Sequence, residues 1–353
     1  MGNSSDVSER DVEKVHKSAI IIDGLSPHGN LDDLRRSFID FHEGGVTAAN
    51  TTVAHVHGFE AAVKEVAHYK HIVRDNADKA SVVTCVHQIE EAKNRDVLGI
   101  ILGFQDTRPI EKELLYLDVF YDMDVRIIQL TYNSQNFVGT GACELSYGGL
   151  TYFGRQVVKA LDSLGIVIDL SHCCDETTLD AIEYSRNPVI CSHSNTYVLC
   201  NAYGRNKPDR IIKALADKGG VVGVVFQPCF VKMDPETYEV LPSSVEDVLN
   251  HIDYIVELVG IDHVGFGSDL CAMWLERDAP PPESSFRLWR PKRPDVFGKG
   301  PTETYDAPVE GLEAHSKLMN LTRGLLERGY SEQDVRKILG GNFLRVFGDI
   351  WKE

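Results

Sequence analysis

The sequence predicts an α/β fold, one (β/α)8 barrel of the TIM type that forms a single domain over residues 1–353. Three observations carry that expectation. Short apolar, β-branched runs alternate with amphipathic stretches from end to end, the pattern of repeated βα units around a parallel sheet. The runs number eight, as many as a closed barrel of this kind needs. Several end directly on a histidine or an aspartate, at the strand ends where such barrels gather their reactive groups.

In chain order the predicted strands are 19–23, 46–53, 98–104, 125–131, 165–169, 189–191, 221–226 and 263–267, each a bounded apolar run of strand length. Helices are predicted over 58–75, 151–164, 175–184, 208–218 and 245–259. Within them, Thr178 to Ile182 and Ile211, Ile212 to Leu215 keep the three- and four-residue spacing of a face packed on a sheet. Residues 279–302 break the pattern: they are rich in proline (Pro280, Pro281, Pro282, Pro291, Pro294) and in charge, with no periodicity. That reads as a long ordered loop, over the barrel mouth or at a subunit contact. Helices over 311–347 close the domain.

Composition narrows the class. The chain is 43% hydrophobic and 25% charged, ordinary values for a globular protein. A formal net charge of -17, with no basic block to offset it, excludes nucleic acid and anionic membrane as partners. No stretch approaches the ~18 continuous apolar residues of a membrane span. No basic segment followed by an apolar one opens the chain, so a cytoplasmic protein is expected. The eight cysteines are scattered without a C-x-x-C pair and read as reduced, mostly buried thiols. The adjacent Cys173 and Cys174 offer an alternative reading as a soft metal site.

Three strand ends carry the chemistry. His172 closes Ile168-Asp169-Leu170-Ser171-His172, His193 closes Val189-Ile190-Cys191-Ser192-His193, and Asp269 closes Val264-Gly265-Phe266-Gly267-Ser268-Asp269. Imidazole and carboxylate suit Zn²⁺ or a similar divalent ion, which brings the pKa of a bound water to ~7. The plainer reading is a pair of buried histidines satisfied by backbone groups and an aspartate capping a loop or helix. His28 follows the first predicted strand, and His55 and His57 lie just past the second. Two residues apart on an extended segment, the last two share one side.

Longer stretches resemble a known family. Gly149-Leu150-Thr151-Tyr152-Phe153-Gly154-Arg155 through His172, Pro188-Val189-Ile190-Cys191-Ser192-His193-Ser194-Asn195, and Arg205-Asn206-Lys207-Pro208-Asp209 are similar to the membrane (renal) dipeptidase family of the amidohydrolase superfamily. So are Val259-Gly260-Ile261-Asp262-His263 through Asp269 and Gly340-Gly341-Asn342-Phe343-Leu344-Arg345-Val346-Phe347. The resemblance implies a barrel with a binuclear zinc site that hydrolyses dipeptides, sometimes dehydropeptides or β-lactams, and a homodimer. It makes His172 and His193 ligands of one zinc and Asp269 the carboxylate near the reacting water. It makes Arg205 the bidentate partner of the substrate's carboxylate.

The chain departs from that pattern at four places. Where the family has a His-x-Asp pair after the first strand, Asp23-Gly24 is followed by Leu25, Ser26 and Pro27, and neither Leu25 nor Pro27 binds metal. The family's bridging glutamate falls at Gln105, a neutral amide that brings no charge to offset two cations. Its substrate-polarising histidine falls at Tyr132, and its Asp-Phe-Asp-Gly has become Asp269-Leu270-Cys271-Ala272.

The expectation is therefore a metal-dependent hydrolase with a mononuclear or altered centre, cleaving an amide bond in a small carboxylate-bearing substrate. His172 and His193 hold one Zn²⁺ or another divalent ion, with Gln105 as a weak third ligand or a substrate contact. Asp269 acts as general base, Tyr132 takes part in catalysis, and Arg205 and Asn133 bind substrate. His28, His55, His57 and Asp106 are candidates to replace the missing ligands. Two alternatives stand beside this reading. One is a metal-free binding or regulatory barrel; the other is an enzyme acting on a non-peptide small molecule through different acid–base chemistry.

Overall fold

The computed structural model describes residues 7–27, 31–55, 57–146, 148–270, 285–300 and 306–352. Its strands are β1 (Ile22–Pro27), β2 (Ala48–Ala54), β3 (Ala80–Val82), β4 (Leu98–Phe104), β5 (Val125–Gln129), β6 (Val167–Asp169), β7 (Ile190–Cys191), β8 (Val221–Val224) and β9 (Val264–Phe266). Parallel pairing runs β1-β2-β4-β5-β6-β7-β8-β9. The circle is closed by the Asp269 N–H, which donates to the Leu25 carbonyl at 2.9 Å. The eight predicted runs thus become a TIM-type barrel. β3 stands off this path, paired with residues 98–100 of β4, and its three residues are too short to carry a periodic signal.

The first strand begins later than its apolar run. The helix Glu9–Ser18, capped by the Ser8 hydroxyl accepting the Asp11 N–H, carries the chain as far as Ala19. Ala19 and Ile21 are buried in that connection, so hydrophobicity alone did not separate helix end from strand start. The β1–β2 register then shifts between Asp23 and Ser26, a bulge that re-aims this strand end at the mouth.

One end of the barrel is plugged. Ile22, Ile101, Ile127, Val167, Ile190 and Val221 cluster with Phe343, Phe347 and Trp351 at the C-terminal helix Asn342–Ile350. Each such side chain contributes about 1.5–3 kcal/mol of transfer free energy. The plug sits under the N-terminal halves of the strands, which leaves the C-terminal ends for the site.

The described part of the proline-rich segment, residues 285–300, lies on that open side. It carries the short helices Ser285–Trp289 and Pro294–Phe297. Val296 and Phe297 pack against Cys143, Cys200, Phe230 and Met233, which belong to loops following β5, β7 and β8. Arg293 ties the segment down by donating to the Cys143 and Glu144 carbonyls and to Asp295. Helices Met319–Glu327, Glu332–Arg336 and Asn342–Ile350 account for the predicted C-terminal helical part. Among the described residues no helix is long and apolar enough to cross a membrane.

Candidate active site

The site is built outward from Asp169, the last residue of β6. Its buried carboxylate accepts the Ser171 N–H at 3.0 Å and hydroxyl at 2.6 Å, and the Ser192 N–H at 3.0 Å and hydroxyl at 2.6 Å. One carboxylate therefore cross-links the two turns that carry His172 and His193. Charge-assisted bonds of this length are about twice as strong as neutral ones. The Ser192 carbonyl lies close against the next strands, where a Cβ on Gly223 or Gly267 would come within 2.1 Å or 2.0 Å of its oxygen. Glycine is required at both positions for that approach.

The histidine partners fix their tautomers. His172 Nδ1 lies 2.8 Å from Asn133 Oδ1, an acceptor, so this nitrogen carries the proton. His193 Nδ1 lies 2.7 Å from Ser192 Oγ. Because the Ser192 proton goes to Asp169, His193 Nδ1 is again the donor. Both Nε2 lone pairs then face one another, 2.9 Å apart. Lone pairs this close repel unless a cation or a proton lies between them. A proton is disfavoured: burial, and then the nearby Arg205 charge, hold both imidazoles well below their ordinary pKa. The Gln105 amide nitrogen lies 3.4 Å from His193 Nε2, where its N–H points a donor at that nitrogen. Turned about its terminal bond, the amide presents an oxygen there.

Two imidazoles and an amide oxygen fit one divalent ion. Leu25 and Pro27, at the end of β1, bring no donor side chains for a second ion. Among the described residues no group of three or more His, Cys, Asp or Glu side chains converges on one point.

Several expected roles change. Asn133, expected at the substrate, is the orienting partner of His172. Arg205 is fully buried, donating to the Ser171 carbonyl at 2.7 Å and the His193 carbonyl at 3.3 Å, with its guanidinium 4.7 Å from the Phe230 ring centroid. It thus braces the backbone beside both histidines, while its Nε has no hydrogen-bond partner. Asp106 is a loop anchor rather than a replacement ligand. Its oxygens accept the Arg108 N–H, the Asn136 amide and the Tyr132 N–H at 2.7, 2.9 and 2.8 Å, joining the loops beyond β4 and β5. The Cys173 thiol is pushed up to about 12 by burial, and Cys174 is raised for the same reason, so both are neutral thiols here.

Tyr132 stacks on His172 with centroids 4.3 Å apart and planes at 20°. The His55 ring meets Tyr132 edge-on at 5.7 Å and His57 at 5.2 Å. Burial, with the charges of His57 and Arg108, pushes His55 down to about 4, so it stands near the site as a neutral ring. His28, Cys271 and Ala272 lie outside the described residues.

Asp269 completes the mouth from the end of β9. It is held in the left-handed region, φ 54°, by its N–H to Leu25 and by the Gln227 amide, which donates to its carbonyl at 3.0 Å. Desolvation pushes its carboxyl up to about 7; the Asp23 charge adds to that rise and Arg205 opposes it. A carboxyl balanced near neutrality can take and return a proton at working pH. Sequence reasoning missed Asp23, Asp40 and His315, which join behind Asp269. Asp23 ended a predicted strand and was in principle findable, whereas His315 sits in a C-terminal stretch with no strand-end signal.

With this geometry in place, the likenesses are direct. The profile of the family described as Membrane dipeptidase (Peptidase family M19) matches residues 11–274 and 298–352, on either side of most of the proline-rich segment. Dipeptidase tcpJ of Claviceps purpurea is 28% identical over 252 residues, 71% of this chain and 50% of that protein. Dipeptidase aclJ of Aspergillus oryzae is 29% identical over 273 residues, 77% of this chain and 56% of that protein. The chain thus spans about half the length of these curated relatives. A crystal structure of an amidohydrolase from Pseudomonas aeruginosa is 34% identical, superposes with a TM-score of 0.85, and is matched over 97% of this chain and 99% of its own. On the profile match and this likeness over the whole barrel, the chain belongs to the membrane dipeptidase family, peptidase family M19.

Proposed function

We propose that the chain is a dipeptidase-type hydrolase that cleaves an amide bond in a small carboxylate-bearing molecule and depends on a single divalent ion, Zn²⁺ or a relative. The observation that carries this reading is the pair of opposed Nε2 lone pairs, 2.9 Å apart, whose rings are kept unprotonated on that side. When bound, the ion supplies a Lewis acid and lowers the pKa of a water. The rest falls to the chain's own groups. Asn133 and Ser192 keep the two Nδ1 protons in place, so that both Nε2 atoms stay available. Asp269 takes the proton of the attacking water and returns it to the departing amine. The unpartnered Nε–H of Arg205 is the cation on offer to a substrate carboxylate. A metal-free barrel is the less favoured reading, since it requires the His172 proton on Nε2, donating to His193, and the Asn133 amide reversed.

The seven described cysteines are all free, which supports a reducing compartment, the cytoplasm. Exposed Val198, Leu199 and Tyr203 beyond β7, with Leu288 in the proline-rich segment, support a second copy of the chain as partner.

The test is metal per chain, by plasma mass spectrometry on untagged protein purified without chelator, together with turnover of a panel of dipeptides. About one ion per chain is expected. His172→Ala should lose that ion and lower turnover by about 10³-fold or more. No metal after incubation with zinc or manganese removes the metal dependence; metal without dipeptide turnover removes the substrate class.

A further inference from the structure

Opposite the histidine pair, the seam between β9 and β1 is held by a buried ladder of side chains that the proposed reaction does not use. Asp23 accepts the N–H of Ser268 at 2.8 Å and of Leu25 at 3.1 Å through one oxygen. Its other oxygen accepts the Ser268 hydroxyl and lies 2.9 Å from His315 Nε2. On the far side, His315 Nδ1 is 3.0 Å from an Asp40 oxygen. Asp40, in the helix Leu31–Glu43, also accepts the backbone N–H groups of His315 at 2.9 Å and Ser316 at 3.0 Å. The His315 ring is buried, with Phe41 4.2 Å from its centroid.

A neutral imidazole has one N–H. Here each ring nitrogen meets a carboxylate oxygen, so only the doubly protonated ring satisfies both. Three elements supply the groups around it: Asp23 on β1, Asp40 on the helix, and the Ser268 hydroxyl just past β9. The ladder is therefore a fixed cation between two anions. It stands behind Leu25 and Pro27, where the family pattern would put metal ligands.

We propose that His315 is a positioning residue for Asp269: as an imidazolium it holds the Asp23 side chain in the rotamer that grips Leu25 and Ser268, and so sets the backbone and the proton affinity of Asp269. The connections are short. Ser268 is the residue before Asp269, and the Leu25 carbonyl accepts the Asp269 N–H. The Asp23 charge raises Asp269, and the imidazolium is what offsets Asp23. The titration behaviour agrees with the geometry. Burial would lower His315, yet its bonds to Asp23 and Asp40 outweigh burial and raise it to about 8. Burial would raise Asp40, yet His315 holds it well below the usual carboxylate range. For a histidine raised in the folded state, the stabilisation is complete below about 6.5, its unfolded value, and fades as pH rises through about 8.

This inference rests on the proposed catalytic role of Asp269, so its test does not depend on turnover. Full-length wild type, His315→Gln and Asp40→Asn are compared by carboxyl ¹³C NMR titration of Asp269, by Tm between pH 6 and 9, and by the pH profile of kcat/KM. Wild type should lose Tm across the pH 6.5–8 window, while His315→Gln is flat there. Asp40→Asn removes one half-buried contact and leaves the seam in place, so it carries the test if His315→Gln fails to fold. It should lower the His315 titration from about 8 and raise that of Asp269 by about 0.5–1 unit, a three- to tenfold change in proton affinity. The limb of the pH profile should move with it while KM holds. An Asp269 titration unchanged in the folded variants overturns the proposal. A shifted titration in a protein that turns over no dipeptide upholds it and removes the dipeptidase reading instead.

Discussion

Two sides of one barrel mouth treat the same residue type in opposite ways. At the ends of β6 and β7, His172 and His193 are buried and neutral, each with its single proton on Nδ1 and their Nε2 atoms 2.9 Å apart. At the seam of β9 and β1, His315 is equally buried and carries a proton on each nitrogen, with its pKa raised to about 8. Desolvation is the largest influence in all three cases and always disfavours the charge. The partners decide the outcome. An amide oxygen and a hydroxyl accept one N–H and leave the other nitrogen bare, whereas two carboxylates demand two N–H groups. One side is thus prepared to receive a cation from outside, and the other already contains one.

The largest effect should come from the residue that stands between the two sides. Asp269→Asn keeps the shape and the backbone bonds to Leu25 and Gln227 but removes the base, and should lower kcat about 10²- to 10⁴-fold with Tm little changed. The sign of the pH dependence follows from the raised carboxyl. The base form exists above about 7, so wild-type activity should climb as pH rises through that value, and the limb should vanish in the variant. A full limb in Asp269→Asn assigns the base to another group.

A smaller effect isolates the neutral side. Asn133→Ala frees His172 Nδ1 to exchange its proton, so the ring no longer keeps Nε2 bare. Loss of such an orienting partner typically costs 10–100-fold in metal affinity, which competition against a chelator measures directly. Unchanged affinity means that the stacked Tyr132 ring alone holds the imidazole.

Much of this contrast was legible in the sequence, unevenly. Most barrel strands could be read because they are short apolar runs buried as units, and His172, His193 and Asp269 because they end such runs. β3 could not, since three residues carry no period. The partners that set the protonation states were hidden for a different reason. Asn133 lies 39 positions from His172, and His315 lies 292 positions from Asp23, so only the closed barrel brings them together. The chemistry of Arg205 as a carboxylate partner was visible in the sequence, and its two backbone acceptors were not. Residue type announced the site; the wiring that assigns protons came from topology.

The finest probe of the comparison is Gln105, which faces the neutral side with an amide 3.4 Å from His193 Nε2. Gln105→Glu puts a carboxylate there at nearly the same volume. Without metal, the added charge is buried among neutral imidazoles and should lower Tm, because an unpaired buried carboxylate is costly. With metal, the carboxylate supplies the negative ligand that two imidazoles lack, and affinity should rise on the order of tenfold. The two effects act in opposite directions, so the Tm gain on adding zinc should be larger in the variant than in wild type, the extra stabilisation free energy being RT ln of the affinity ratio at saturating zinc. Such a gain requires an ion within reach of position 105 and both histidines at once. A variant that is destabilised and gains nothing from zinc or manganese shows instead that no ion sits there. The His172 proton would then have to sit on Nε2, donating to His193, with the Asn133 amide reversed.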